Sequence, residues 1–266
     1  MNQPSRNPKP LQILNVVLLL LTLYVNYLAN ALPLNGKNTG QLSDQYPNLF
    51  TPAGLTFSVW GVIYFGLLAF AIYQALPLFN RKWAAEVHPV VERIGWLFVL
   101  TCVLNITWIF AWHYEQLTLS VLVMILFLLT LTLLNERLQP KLIESSWRVN
   151  WLVQVPFAVY WGWITIATIA NVTAWLVAEN WNGFGLPQSV WAIAMIAVGM
   201  FITIAVLRRT QRWAYGLVVL WGFAGIIIKR QSVPDAPHLD IVVAAALGML
   251  LIGYYLVRVR PLRTKS

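Results

Sequence analysis

Long apolar runs alternate with short polar segments along nearly the whole of this chain. Eight runs stand out, at roughly 12–32, 55–78, 94–113, 117–135, 150–176, 188–207, 213–228 and 239–257. Each approaches the roughly 20 residues that a helix needs to cross a ~30 Å hydrocarbon core. Inside hydrocarbon the backbone must satisfy its own hydrogen bonds, so each run predicts a helix. The pattern therefore predicts an all-α polytopic transmembrane bundle of about eight spans. The seventh run is the shortest and stops at Lys229-Arg230, two side chains long enough to snorkel. A six-span arrangement would require two apolar runs to be re-entrant and is the weaker expectation.

The connecting segments are short except the first. Residues 33–53 are polar, hold two glycines and three prolines, and are too long for a tight turn. They read equally as a structured cap over the bundle or as an ordinary connector. Segment 177–187 carries turn chemistry in Asn182-Gly183 and Gly185-Leu186-Pro187. The first apolar run does not read as a cleaved signal: it is longer than a usual signal core, and Asn26, Tyr27 and Asn30 stand where small residues are expected.

Composition agrees with the pattern. Apolar residues make up 59% of the 266, charged residues only 10%, and mean hydropathy is +0.67. A soluble domain is typically about 45–50% apolar and about 25% charged. The formal charge of +9 follows topology rather than a nucleic-acid partner, because the basic residues sit in short loops. With the N-terminus inside, Arg6, Lys9, Arg81, Lys82, Arg93, Arg137, Lys141, Arg148, Arg208, Arg209, Arg212, Arg258, Arg260, Arg263 and Lys265 all fall on the inner side. Only Lys37, Lys229 and Arg230 fall outside. The positive-inside rule then places both termini in the cytoplasm, and a bacterial inner (plasma) membrane is the expected location. The single cysteine, Cys102, rules out an internal disulfide and lies in an apolar run that suggests plain packing.

The candidate chemistry is polar and aromatic rather than acid–base. Asn105, Trp108 and Trp112 follow one another at spacings of three and four, which puts them on one helical face. Asn105 lies deep in its span and needs partners there, either as glue between helices or as the polar anchor of an aromatic pocket. Trp60 and Tyr64 are four apart after Pro52, and Phe57 shares a face with Tyr64. In the fifth span Trp163 and Asn171 are two turns apart with Ala167 between them, leaving room for a flat ligand or for a neighbouring helix. His113 beside Glu115 is a weak metal or proton-relay signal. No HExxH, CxxC or P-loop is present. No nucleophile–base pair or metal cluster points to an enzyme, so any chemistry would belong mainly to a bound pigment. Gly216, Gly222, Gly225, Ala244 and Gly248 suit close helix packing, within the chain or in a homodimer.

These pieces resemble the tryptophan-rich sensory protein family, also called the translocator protein or peripheral benzodiazepine receptor family. The resemblance runs over about residues 12–176. Pro52, Trp60 and Tyr64 match the start of that family's second helix, with Thr51 in place of its first proline and Phe57 one residue out of register. Asn105 and Trp108 match its third helix. Trp163, Ala167 and Asn171 match its fifth, with the usual upstream proline displaced to Pro156. The resemblance implies a five-helix core at 12–176 whose long first loop caps a central pocket. An N-terminal tail at 1–11, a three-helix extension at 177–258 and a tail at 259–266 complete the chain. It further implies a membrane sensor or regulator that binds a tetrapyrrole, such as a porphyrin or haem, or another hydrophobic ligand, with no obligatory cofactor. Pro52, Trp60, Tyr64, Asn105, Trp108, Trp163, Ala167 and Asn171 are the expected ligand-binding positions. The alternative is a secondary transporter for an amphipathic small molecule; against it, no span centre carries an acidic or basic residue. Expected partners are membrane lipids and the hydrophobic ligand.

Overall fold

The computed structural model describes residues 8–139, 146–232 and 238–258. Arg6, Lys141 and the tail at 259–266, which entered the charge pattern, lie outside these residues. The chain forms helices α1 (Lys9–Ala31), α2 (Thr39–Asp44), α3 (Val59–Phe79), α4 (Ala84–Ile94), α5 (Leu97–His113) and α6 (Leu117–Arg137). There follow a single turn α7 (Trp147–Val149), α8 (Val155–Ala178), α9 (Gln188–Thr210), α10 (Trp213–Gln231) and α11 (Leu239–Arg258). Short 3₁₀ turns lead into α3 and α4, and a π turn at Asn150–Gln154 joins α7 to α8. That wide turn lies directly upstream of Pro156, which has no N–H for the normal ladder.

Seven helices, with α3 and α8 counted together with their lead-in turns, are long and apolar enough to cross a membrane among the described residues. An eighth is obtained by joining the bent pair Arg81–Ile94 and Leu97–His113. The third predicted span, 94–113, is thereby corrected at its start. Gly95 adopts a positive φ of 53°, and the chain bends by 54° there. Upstream of the bend, α4 buries Val87, Val90, Val91 and Ile94 on one face and leaves Glu92 and Arg93 exposed. This amphipathic helix is too short and too charged to register as an apolar run.

Helix α8 is the hub of the bundle. It packs against α3, α6, α9 and α10, while α1 lies against α3 and α5, and α9, α10 and α11 pack on one another. The last three helices thus form a layer joined to the first set through α8 and, at α10, through the segment that leads into α3. At Gly162 the backbones of α8 and α10 approach so closely that an added Cβ would stand 2.8 Å from the Tyr215 carbonyl oxygen. The outer faces are apolar throughout: Val17 and Leu20 on α1, Phe65 and Ile72 on α3, Leu122 and Leu126 on α6, and Phe201 on α9 are exposed. Such continuous apolar cover is incompatible with water and suits acyl chains. Buried polar groups are tied across helices. Gln12 Nε2 donates to the Gln74 carbonyl (2.5 Å), and Gln74 Nε2 returns a bond to the Gln12 carbonyl (2.9 Å).

The helix ends segregate by charge. Arg148 pairs with Glu86 (3.5 Å), Arg209 pairs with Glu136 (3.1 Å), and Arg212 Nη2 donates to the Leu138 carbonyl (2.5 Å), all at one end of the bundle. Burial pulls the Arg212 guanidinium down to about 10, which still leaves it charged at neutral pH. Lys37 and Lys229 lie at the opposite end with the first loop.

Candidate functional site: an aromatic chamber beneath the first loop

The first loop is a built cap. Asn38 opens α2 with a reciprocal capping box: its Oδ1 accepts from Gln41 N (2.9 Å), and Gln41 Oε1 accepts from Asn38 N (2.9 Å). Further on, the Asn48 side chain folds the chain into a tight strap. Its Oδ1 accepts from Phe50 N, Thr51 N and Thr51 Oγ1 at 2.8–3.1 Å, while Nδ2 donates to the Tyr46 carbonyl.

The cap is anchored on two sides. Toward the α5–α6 turn, Glu115 accepts from Lys37 Nζ (3.1 Å) and Tyr46 OH (2.9 Å), and Asn35 Nδ2 donates to the His113 carbonyl (3.0 Å). The Tyr46 and Lys37 hydrogen bonds hold the Glu115 carboxyl below the usual carboxylate range. Burial, and then Glu115 itself, push Tyr46 up to about 12. The clamp is therefore fully formed at neutral pH and is lost only as pH falls through the lowered Glu115 value. Toward α10, Lys229 Nζ meets Asp44 Oδ1 (2.7 Å), Ala53 N donates to the Gly225 carbonyl (3.0 Å), and Trp221 Nε1 donates to the Thr56 carbonyl (2.9 Å).

Under this cap lies a cavity of about 40 Å³. Thr39, Ser43 and Pro52 of the cap form one side, Phe57 and Trp60 another, Trp108 and Trp112 of α5 a third, and α8 the floor. Six expected positions come together on its wall: Pro52, Trp60, Trp108, Trp163, Ala167 and Asn171. Thr39, Ser43, Ile166 and Ala170 were not singled out by the sequence pattern. Trp60 stacks on Tyr64 (5.4 Å between centroids, 23° between planes) and on Trp108 (6.1 Å, 25°); Trp108 stacks on Trp112 (6.2 Å, 19°). Trp163 meets Trp60 edge-on at 6.2 Å and Phe57 at 5.8 Å. Phe57 lies in the 3₁₀ turn before α3, so its position follows from that turn and not from the α3 register.

Tyr64 and Asn105 sit behind the wall instead of on it. Asn105 Oδ1 accepts from Asn26 Nδ2 (2.7 Å), and Asn105 Nδ2 donates to Tyr160 OH (3.0 Å), which knots α1, α5 and α8 together. Of the two sequence readings of Asn105, this geometry is that of interhelical glue. His113 Nδ1 donates to the Ile109 carbonyl (2.9 Å), and no metal-holding group occurs among the described residues.

Two donors on the wall have no partner among the described residues. Asn171 Oδ1 accepts from both Trp108 Nε1 (3.1 Å) and Ser120 Oγ (2.8 Å), and these bonds fix the orientation of the amide. Its Nδ2 is buried and unpaired, and so is Trp163 Nε1. A buried unpaired donor costs about 1–3 kcal/mol.

Comparison with known proteins returns one relationship. No curated protein and no solved structure gives a significant match. The family model described as TSPO-like protein matches residues 12–257, and so extends through α9, α10 and α11, beyond the stretch at 12–176 that carries the motif resemblance. The match reaches every helix of the bundle and takes in every residue that lines the chamber: this chain belongs to the TSPO-like protein family.

Proposed function

We propose that this membrane protein is a ligand sensor or regulator. Its aromatic chamber takes a flat hydrophobic molecule bearing acceptor groups, of which a tetrapyrrole is the best example. Membership of the family supports a ligand-binding or transport role in general. The observation that carries the finer reading is the pair of unpartnered donors, Trp163 Nε1 and Asn171 Nδ2, on a wall otherwise made of indoles and small side chains. Indole faces suit a macrocycle, and the two donors suit a carboxylate. Among the described residues the wall holds no His, Cys or Met, and none of those that line it would serve as an axial ligand to iron. A metal-free porphyrin therefore fits better than haem. In this conformation the cavity has room for water but not for a macrocycle, since sites for drug-sized ligands run about 300–1,000 Å³. Binding must therefore displace the cap or part a ring stack, and a displaced cap is a signal that the outside of the bundle can read.

Protoporphyrin IX titrated into the protein in nanodiscs, followed by tryptophan quenching, is expected to bind saturably. Trp163→Phe and Asn171→Leu should each weaken it about tenfold, the equivalent of one hydrogen bond to a charged group. Unchanged affinity in both folded variants would sink the chamber as the site.

The segregation of basic residues supports a topology with both ends in the cytoplasm. Because Cys102 is buried, introduced cysteines have low background. In intact cells a membrane-impermeant maleimide should label Glu179→Cys and leave Arg208→Cys untouched; the reverse pattern would invert the topology.

A further inference from the structure

A second, larger cavity of about 360 Å³ lies beside the Asn48–Phe50 strap, between the C-terminal turns of α8 and the start of α9. It has no lining residue in common with the aromatic chamber. Its volume falls in the range of sites for drug-sized ligands. Phe50 and Ala192 are buried in its floor, and the amides of Asn182 and Gln188 stand exposed at its rim. Among the described residues no charged side chain lines it, so a charged occupant would lose its hydration without compensation from them.

Its wall is preformed. Trp181 and Trp191 pack edge to face at 4.8 Å, and Trp191 Nε1 donates to the Gly183 carbonyl (3.0 Å). The hairpin that presents Trp181 holds Asn180 (φ 52°), Gly183, Phe184 (φ 54°) and Gly185 at positive φ. Asparagine adopts this conformation readily, but Phe184 does not, and backbone strain of that kind concentrates at ligand clamps and switches. The α9 wall exists only because the chain continues past its fifth span.

We infer that this cavity is a second ligand site, for an uncharged molecule with an apolar body and one hydrogen-bonding end. The apolar body would lie against Phe50, Ala192 and Met195, and the polar end would meet the amides of Asn182 or Gln188. A bilayer lipid chain and a free small molecule share this chemistry.

The test uses the full chain and a neutral probe, a linear alcohol carrying an alkyl diazirine, with adducts mapped by mass spectrometry after irradiation in detergent. Adducts are expected to concentrate on residues 172–195 and on the strap, and to fall several-fold in Ala192→Phe and Thr173→Phe. Loss of the signal on these residues, with labelling of the outer helix faces unchanged, when an uncharged diacylglycerol is added would identify a lipid chain as the natural source, and persistence a free ligand; both support a site. Adducts spread evenly over the outer helix faces of the native protein would overturn it, as would unchanged labelling in both variants. Porphyrin binding is not the readout, so this site and the aromatic chamber stand or fall separately.

Discussion

Replacing Gly225 by alanine is expected to unseat the first loop from the bundle. A Cβ at this point of α10 would stand 2.9 Å from both Pro52 Cβ and Thr56 Cβ, and would overlap the Thr56 hydroxyl. The hydroxyl can rotate away, but the two carbons cannot both yield without the strap moving. That movement would strain the Ala53–Gly225 backbone bond and the Trp221 bond to the Thr56 carbonyl. Overpacking of this kind costs about 1–3 kcal/mol. Thermal unfolding in detergent should show the loss, and hydrogen exchange should show amides 48–56 opening. Gly253→Ala is the control, because open space surrounds that position on α11; alanine there should be neutral or stabilising by up to about 1 kcal/mol. Adding Thr56→Ala to Gly225→Ala should restore part of the stability if the clash is local. A Gly225→Ala protein as stable as the native one, with unchanged exchange, would mean that α10 does not hold the cap.

This result bears on the three helices beyond the fifth span. Gly225, Trp221 and Lys229 of α10 all contact the first loop. Gly222 accommodates Ile166, which itself lines the chamber. The extension is thus part of the chamber's support and not an appendage, in keeping with a family match that runs through residue 257.

The part of this arrangement that lies on one helix was legible in the sequence. Trp163, Ala167 and Asn171 share a face by spacing alone, and all three line the cavity. Asn105 obeyed the same periodicity with Trp108, yet its amide is taken up by Asn26, 79 residues away. Spacing within one helix says nothing about which distant side chain arrives on that face. The cap was harder to read for a different reason. Asn38 followed three residues later by Gln41 is a helix-start signal, but α2 is only six residues long and carries no apolar stripe. Helix α4 escaped because a hydropathy run responds to continuous apolar sequence, whereas α4 shows only four buried positions among charged ones. The charge at the helix ends was plain from the outset, because loop composition needs no partner to be read.

Trp60→Ala should produce the largest single loss of stability, and the response of the variant to free indole should show what kind of wall the chamber has. Trp60 touches more of the chamber's aromatic rings than any other described residue: it stacks on Tyr64 and Trp108 and meets Tyr160 and Trp163 edge-on at 6.0 and 6.2 Å. Truncating a tryptophan in such packing costs about 3–5 kcal/mol, with the upper part of that range reserved for sites that cannot collapse. Trp60 is partly exposed, so the lower part applies to the lost transfer energy alone. The hole would adjoin the existing cavity, and its neighbours are held in place by other residues: Trp108 by Asn171, Tyr160 by Asn105 and Phe127. A wall so braced should stay open. Added indole should then bind the variant and raise its melting temperature with concentration, as expected for a ligand that binds only the folded state, and should leave the native protein unchanged. A variant that loses only the lower part of that range and ignores indole would show that the rings close over the gap. The chamber would then be an adaptable core that forms a site only when a ligand is present to fill it.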